Sequence, residues 1–305
     1  MRYVLGFDGG GTKTECVLMG EDGRIVAQSR GGPSNPNRVG FGGALASVSD
    51  AARQALLNAG VPIEAVSSVC AGLAGTAHPE SAQRMKWLLE KEFPGKAIRV
   101  CTDLELTLEG TGEGATIVLM AGTGSGAVGR NAERRMGRVG GHGYLLGDDG
   151  SAYHVGQSAV KQALRHFERT GTDTLLGKRI LTEIGEPSWA ELQAHINGAP
   201  DEVLPRLFPV VLRAAESGDT TARELVEECA TALSSLVQDL AERLQLQSEK
   251  FLLAKTGGMV GRSKYFDERL DERLRKALPL AQFTELKMSP AEAAARLALQ
   301  LAARV

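Results

Sequence analysis

The residues best suited to bind phosphate lie near the amino terminus, in the segment Asp8-Gly9-Gly10-Gly11-Thr12-Lys13-Thr14. Glycine admits backbone conformations in which successive N–H groups point into one turn and form an anion-binding concavity. The Thr12 hydroxyl and the Lys13 ammonium add further donors for phosphate oxygens. Asp8, at the end of a predicted buried strand, is suited to hold a hydrated Mg²⁺. The alternative is an ordinary hairpin with a glycine-rich turn.

A second glycine loop has the same character, Ala121-Gly122-Thr123-Gly124-Ser125-Gly126. Taken alone, it is equally compatible with a simple turn. Two such loops, each at the start of a similar group of strands, indicate a clamp that binds a triphosphate from both sides. Neither loop matches the P-loop pattern or the dinucleotide fingerprint that opens a helix.

Asp103 is the candidate for acid–base chemistry. It follows the apolar run Ile98–Cys101, so it lies at the carboxyl end of a predicted strand, where a carboxylate can accept the proton of an attacking hydroxyl. Aspartate is also a favoured N-cap, and a helix is predicted to begin at Leu104. The residues alone leave both roles open.

Two polar loops carry further candidates. Asn35, in a loop flanked by prolines, can give and accept hydrogen bonds with a ligand, although simple turn chemistry explains it as well. Asp149 is predicted to cap a helix that starts near Ser151.

Strands and helices must position these loops. Apolar runs and tight turns predict a three-strand antiparallel meander, then helices alternating with strands, in the order β-β-β-α-β-α-β. The meander consists of Tyr3–Phe7, Thr14–Met19 and Arg24–Gln28. A second meander is predicted from Thr116, and the chain after Ser151 is predicted to be mostly helical until the strand Phe251–Ala254. The segment Ser289-Pro290-Ala291-Glu292 predicts a capped start for a final helix.

Length and composition restrict the class of protein. A chain of 305 residues predicts about two domains. The 35 basic and 37 acidic residues give a net charge of -2, which argues against nucleic acid or a membrane surface as partner and favours a small molecule. The four cysteines show no metal-binding spacing, and no apolar segment approaches the ~18 residues of a membrane span. A reducing, cytoplasmic setting is expected.

Five segments, in register along the whole chain, resemble the N-acetylglucosamine kinase and BadF/BadG-type ATPase group of the sugar kinase, heat-shock chaperone and actin superfamily. They are DGGGTKTE near the amino terminus, CTD at 101–103, AGTGSG at 121–126, GHGYLLGDDGSAY at 141–153 and KTGGMV at 255–260. The resemblance implies an α/β protein with two ribonuclease-H-like domains, the actin-like ATPase fold, and an interdomain cleft that binds ATP and a sugar. Residues 1–112 with 290–305 would form the first domain. Residues 113–289, with a helical insertion, would form the second.

The resemblance also implies roles for individual residues. ATP and Mg²⁺ are the expected cofactors, with Mg²⁺ held by Asp8 through water, and Asp103 is the expected catalytic base. The expected sugar ligands are Asn35, Asp103, Gly141, His142, Gly143 and Asp148. The expected nucleotide ligands are Asp8, Gly10, Gly11, Thr12, Lys13, Gly122, Thr123, Gly124, Ser125, Gly257 and Gly258. His142 stands where the amino-sugar kinases commonly have tryptophan, which is expected to change the pocket for the sugar's 2-substituent.

The implied reaction is phosphorylation of the 6-hydroxyl of an amino sugar, N-acetylglucosamine above all, by a homodimeric enzyme. Glucosamine or another hexose is the alternative substrate. A different class in the same group comprises ATP-driven activators of iron–sulfur electron-transfer enzymes, which need clustered or symmetry-paired thiolates. Cys16, Cys70 and Cys101 lie in predicted strands, where they would behave as small hydrophobes instead.

Overall fold

The computed structural model describes residues 2–112 and 114–303. Residue contacts divide the chain into two units: unit 1 is Met1–Glu113 with Leu286–Val305, and unit 2 is Gly114–Glu285. Each unit contains one five-stranded sheet. Within the described ranges, no helix is long and apolar enough to span a bilayer.

The strands, numbered along the chain, are β1 Tyr3–Gly9, β2 Thr14–Gly20, β3 Ile25–Gly31, β4 Val66–Leu73, β5 Ala97–Cys101, β6 Thr116–Ala121, β7 Ser125–Arg130, β8 Met136–Gly140, β9 Phe251–Thr256 and β10 Ala281–Thr284. The helices are α1 Pro36–Ala59, α2 Pro79–Glu92, α3 Asp103–Glu109, α4 Ala152–Thr170, α5 Leu175–Ile184, α6 Trp189–Gly198, α7 Pro200–Val203, α8 Phe208–Glu216, α9 Thr220–Arg243, α10 Lys264–Ala277 and α11 Pro290–Ala302. Short 3-10 turns cover Ile63–Ala65 and Leu204–Leu207.

The sheet of unit 1 has the order β3-β2-β1-β4-β5. The first three strands form an antiparallel meander, and β4 and β5 run parallel to β1. The predicted order β-β-β-α-β-α-β is confirmed. Since β1, β4 and β5 are parallel, their carboxyl ends lie at one edge of the sheet, which is where such sheets place their ligand-binding loops.

Helices cover both faces of this sheet. On one face, α1 and α2 pack over a cluster that includes Leu5 and Phe7. On the other face, α11 packs directly onto β1, because a Cβ at Gly6 would lie 2.1 Å from the Ala295 nitrogen. Ser289 caps α11 by accepting a hydrogen bond from the Glu292 N–H at 3.1 Å, so the predicted capped start is confirmed.

The sheet of unit 2 repeats this arrangement with the order β10-β9-β6-β7-β8. Its first three strands form the predicted second antiparallel meander, and β9 and β10 run parallel as β4 and β5 do. Helices α4 to α9 lie between β8 and β9 in sequence, which confirms the predicted helical stretch. The amphipathic run from Leu204 begins as a 3-10 turn and becomes α-helical at Phe208. Pro205 and Pro209, which lack an amide N–H, lie within this stretch.

Candidate functional site

The first glycine loop, residues 10–13, is a short turn between paired ends of β1 and β2. The Gly10 N–H donates to the Lys13 carbonyl over 2.9 Å, and the Gly10 carbonyl accepts from the N–H groups of Ser34 and Asn35 at 3.0 and 3.1 Å. These bonds hold the start of α1 against the loop. The loop therefore has a fixed position at the carboxyl end of β1.

Gly9, at the end of β1, and Gly10, at the start of the loop, have different surroundings. A Cβ at Gly9 would lie 2.0 Å from the Ser34 Oγ and 2.5 Å from a Leu73 methyl group, so Gly9 is needed for packing. A Cβ at Gly10 would meet nothing closer than the Lys13 carbonyl oxygen at 3.8 Å. Apart from the chain neighbours of Gly10, the protein therefore leaves room beside this residue.

Lys13 already has a partner within unit 1. Its Nζ lies 2.6 Å from the Glu15 Oε1, and the Arg30 Nη2 lies 3.1 Å from the same oxygen. The hydrogen bond from Lys13 is the largest cause of a lowered pKa at Glu15. Lys13 and Thr12 are both exposed at the loop tip, so a bound phosphate would compete with Glu15 for the Lys13 ammonium.

The Asp8 carboxyl group has a strongly raised pKa. Its pKa rises from 3.8 to about 7, first because burial disfavours the charged form and then because Asp103 and Glu15 repel it, while Lys13 acts in the opposite direction. A nearby cation would remove this penalty. Perturbation of this kind, together with a position at a strand end, is typical of functional sites.

Asp103 is the first residue of α3, and its helix cap is its neighbour. The Thr102 Oγ1 accepts the hydrogen bond from the Glu105 N–H at 3.2 Å, which is the N-cap bond. The alternative that Asp103 caps a helix from Leu104 is therefore wrong, because Thr102 occupies that role and α3 starts one residue earlier. The positive end of α3 stabilises the negative charge of the Asp103 carboxylate.

Asn35 caps α1, with its Oδ1 accepting from the Asn37 N–H at 2.9 Å. Asn35 lies next to the loop after β4, since a Cβ at Gly75 would lie 2.4 Å from the Asn35 Oδ1. No residue of this loop was among the predicted site residues. The Thr76 Oγ1 in that loop lies 3.0 Å from the Cys101 carbonyl. The sequence feature that indicates this loop is the pair of glycines, Gly72 and Gly75, at the end of an apolar strand.

The second glycine loop, residues 122–124, joins β6 to β7 and meets the start of α4. The Ala152 N–H donates to the Gly122 carbonyl at 2.9 Å, and the Tyr153 N–H donates to the Thr123 carbonyl at 3.4 Å. The amino-terminal end of α4 therefore points at the loop. These two N–H groups are engaged by the loop carbonyls, so the start of α4 fixes the position of the second glycine loop.

The turn after β9 lies against the second loop. Gly257 has a φ of +109°, and a Cβ there would lie 2.2 Å from the Ala121 carbonyl oxygen, so only glycine fits. The Gly258 nitrogen lies 3.5 Å from the position of a Cβ at Gly122. Unit 2 thus brings together both segments predicted to bind nucleotide.

Asp148 and Asp149 have different environments from one another. The Asp148 Oδ1 accepts from the Ser125 N–H at 3.1 Å, and burial is the main cause of a raised pKa at Asp148. The prediction that Asp149 caps α4 is wrong: Ser151 caps it by accepting from the His154 N–H at 3.1 Å. Serine bonds the backbone two or three residues ahead as well as aspartate does, and Ser151 is the residue next to the helix.

The segment 141–143 also lies against the second loop. The Gly141 N–H donates to the Ser125 carbonyl at 2.8 Å, and Arg138 donates to the Gly141 carbonyl. Gly141 and Gly143 have φ values of +69° and +81°. His142 is exposed between them and close enough to Asp148 for its charge to lower the pKa of that carboxyl. Two of the predicted sugar ligands of unit 2, Gly141 and Asp148, therefore lie beside its glycine loop.

These residues fit a nucleotide and its metal ion. Among the described residues, no three His, Cys, Asp or Glu side chains form a metal cage. Mg²⁺ in nucleotide sites commonly has one or two carboxylates with phosphates and water as its ligands. Burial and repulsion from neighbouring carboxylates destabilise the charged form of Asp8, so a cation beside it would be favourable. Asp8 is therefore the carboxylate that fits this pattern. The open position beside Gly10 fits a phosphate.

Known proteins are similar over almost the whole chain. A family model described as the BadF/BadG/BcrA/BcrD ATPase family matches residues 5–298. An N-acetylmuramic acid/N-acetylglucosamine kinase from Clostridium acetobutylicum is 31% identical over 291 residues, which cover 94% of this chain and 95% of the relative. An N-acetyl-D-glucosamine kinase from Dictyostelium discoideum is 28% identical over 315 residues, which cover 98% of each chain.

The fold is similar to that of a solved structure as well. A Chromobacterium violaceum protein, provisionally described as an N-acetylglucosamine kinase, has a TM-score of 0.79 at 25% identity and covers 99% of each chain. The predicted α/β class and actin-like ATPase fold are confirmed. With a match from residue 5 to residue 298, this chain belongs to the BadF/BadG/BcrA/BcrD ATPase family.

Proposed function

We propose that this protein is an ATP-dependent kinase that phosphorylates the 6-hydroxyl of an amino sugar, with N-acetylglucosamine as its preferred substrate. The observation that carries the proposal is the carboxyl edge of the unit 1 sheet, where Asp103 lies close enough to Asp8 to raise its pKa and the first glycine loop follows β1. The activities named for the Clostridium and Dictyostelium relatives support the same reaction.

Each predicted site residue has a role in the proposed reaction. Both glycine loops bind the triphosphate through backbone N–H groups, and Gly257 and Gly258 abut the adenosine. Asp8 would hold Mg²⁺ through water, and the bound ion would supply positive charge for the phosphates. Asp103 accepts the proton of the 6-hydroxyl as that oxygen attacks the γ-phosphoryl group. Asn35, Gly141, His142, Gly143 and Asp148 bind the sugar.

The choice of sugar is tested by an assay of ADP release with Mg²⁺ and ATP. We expect the highest kcat/KM with N-acetylglucosamine, and lower values with N-acetylmuramic acid, glucosamine and glucose. A higher value with glucosamine or glucose would contradict the proposed specificity. Rapid ATP hydrolysis without any sugar would contradict the kinase proposal itself.

The first glycine loop is tested by replacing Gly10 with valine. We expect ATP affinity to fall at least about tenfold, a loss of about 1.4 kcal/mol, because the side chain would fill the space that a phosphate needs. Calorimetry with a non-hydrolysable ATP analogue measures this. The fold should tolerate the change, since the nearest atom to the new Cβ is 3.8 Å away.

Gly42→Val is the control: Gly42 lies in α1, and nothing lies within 4 Å of a Cβ there. Unchanged affinity in Gly10→Val would make the loop only a hairpin turn.

The activator alternative has no support from the cysteines. All four are buried free thiols. Burial raises the pKa of Cys16 to about 12 and raises that of Cys229 as well, which opposes the thiolate form that binds iron. Free buried thiols accord with the proposed cytoplasmic setting. The homodimer is part of the same proposal, and light scattering of the purified protein tests it.

A further inference from the structure

A cavity of about 440 Å³ lies in the helical part of unit 2, among α4, α5 and α9. We call it the basic cavity, and its polar lining residues are Gln162, Arg165, His166, Arg169, Thr174 and Thr221. Arg165, His166 and Arg169 are spaced i, i+1 and i+4 along α4, so they share one face of that helix. None of the residues assigned to the proposed reaction lines the cavity.

No ion pair among the described residues engages the arginines of the basic cavity. The lining of this cavity contains no carboxylate among the described residues, and the side chains of Arg165, His166 and Arg169 form no ion pair with any of them. This local excess of positive charge occurs in a chain whose net charge is -2. The excess therefore arises from the local arrangement of side chains in the basic cavity and not from the overall composition of the chain.

A second cavity in the same helical region shows the opposite behaviour. It has a volume of about 600 Å³ and is lined partly by Arg179 and Arg213. There Arg213 Nη2 lies 2.7 Å from the Glu183 Oε2, and Arg179 donates to the Ser217 Oγ over 3.1 Å. Arginines in this part of the fold are thus paired where a partner is provided. The basic cavity provides none.

The carboxylates nearest in sequence to the two threonines of the basic cavity are already engaged. Asp173 accepts a hydrogen bond from the Trp189 Nε1 at 2.7 Å. Asp219 caps α9 by accepting from the Ala222 N–H at 2.9 Å. Neither carboxylate neutralises the arginines, so the positive charge remains available to a ligand.

We propose that the basic cavity is a second, non-catalytic binding site for a small phosphomonoester. Guanidinium groups bind phosphate oxygens in a bidentate manner, and the two arginines match the charge of one phosphomonoester, which is about -2 at neutral pH. The Gln162 amide and the threonine hydroxyls supply partners for the hydroxyl groups of the ester's body. The volume lies within the range of small-molecule pockets. A sugar phosphate, the product class of the proposed reaction, has this chemistry.

The test is calorimetry with N-acetylglucosamine 6-phosphate as the probe, in the presence of saturating N-acetylglucosamine so that the proposed sugar site is filled. We expect the wild type to bind the probe. The double variant Arg165→Gln/Arg169→Gln should bind it at least about tenfold more weakly, because both guanidinium partners of the phosphate are lost. Added salt should weaken binding to the wild type, since the interaction is between charges.

The double variant Arg179→Gln/Arg213→Gln is the matched control, because it removes the same two positive charges from the other cavity. It should bind the probe like the wild type. Arg165 and Arg169 are exposed, so melting temperature and kcat without added probe should be unchanged in Arg165→Gln/Arg169→Gln. Equal affinity in the wild type and in Arg165→Gln/Arg169→Gln, or absence of binding to the wild type, would overturn the proposal. Because binding is read directly, this result is independent of whether the protein proves to be a kinase.

Discussion

Replacing Asp103 with asparagine is expected to lower kcat at least about a hundredfold, with ATP affinity and melting temperature nearly intact. A general base contributes about 10² to 10⁴ in rate, and asparagine has a similar shape but cannot accept the proton. Because Thr102 and not Asp103 caps α3, the substitution removes no helix cap, and a loss of activity can be attributed to the lost base. Steady-state kinetics with N-acetylglucosamine and differential scanning calorimetry are the measurements.

Glu105→Gln is the matched control for Asp103→Asn. It removes one negative charge from the same helical turn, and glutamine preserves the capping arrangement with Thr102. Its kcat should stay within about twofold of the wild type, because Glu105 is not assigned to substrate. If Asp103→Asn instead retains most of its kcat, the base must be sought elsewhere, and Asp148 is the first candidate.

The sequence predicts the framework of both units because strand order follows from local signals. Apolar runs bounded by turn residues mark the strands of each meander, and helical spacing marks the connections between them. The short strand β10 escapes this reasoning. It has four residues, none fully buried, and is a strand because it pairs with β9.

The residues alone left the cap of α3 open between two readings, and they assigned the cap of α4 to Asp149, which is wrong. At both α3 and α4 an aspartate and a hydroxyl residue lie close to the helix start, and either type can cap. The choice depends on where the preceding chain leaves its strand or loop, which is set by tertiary contacts. The Ser125 Oγ donates to the Asp149 carbonyl at 2.7 Å, so the backbone of residue 149 is bound to the glycine loop and Ser151 caps α4.

The Asn35–Gly75 contact shows a second limit. The two residues lie on different loops, brought together because β1 and β4 are adjacent and parallel. Nothing in the local sequence of either loop states which strand lies beside it. The glycine pair after β4 therefore indicates a close backbone approach without identifying its partner.

Asp8→Asn is expected to impair catalysis and to stabilise the protein at the same time. The kcat/KM for ATP with Mg²⁺ should fall at least about a hundredfold, because charge stabilisation by a metal ion contributes several kcal/mol and the substitution removes its only assigned carboxylate. In contrast, the melting temperature without divalent cations should rise at pH 8. The cause is the unfavourable charge of Asp8, whose pKa is raised from 3.8 to about 7.

The pH dependence of this stabilisation has a definite sign. Between pH 4 and 7 the folded protein keeps a proton on Asp8 that the unfolded chain has released, so the free energy of unfolding decreases as pH rises through this range. Asparagine carries no charge and removes that decrease. The gain at pH 8 should be roughly 1 to 3 kcal/mol, less than the full pKa shift implies because the site is partly solvated. It should vanish toward pH 4.

Melting curves of the wild type and Asp8→Asn, recorded in chelator from pH 4 to pH 8, measure this difference, and about 2 to 10 °C is expected at pH 8. Asp50→Asn is the control, since Asp50 is an exposed carboxyl of α1 that pairs with the nearby Arg53. Its melting temperature should follow that of the wild type at every pH. An Asp8→Asn variant that is less stable than the wild type at pH 8 would show that the Asp8 carboxylate is held by favourable contacts. In that case the burial of Asp8 and its repulsion from Asp103 would be compensated within the protein, and the argument that Asp8 needs a cation would be wrong.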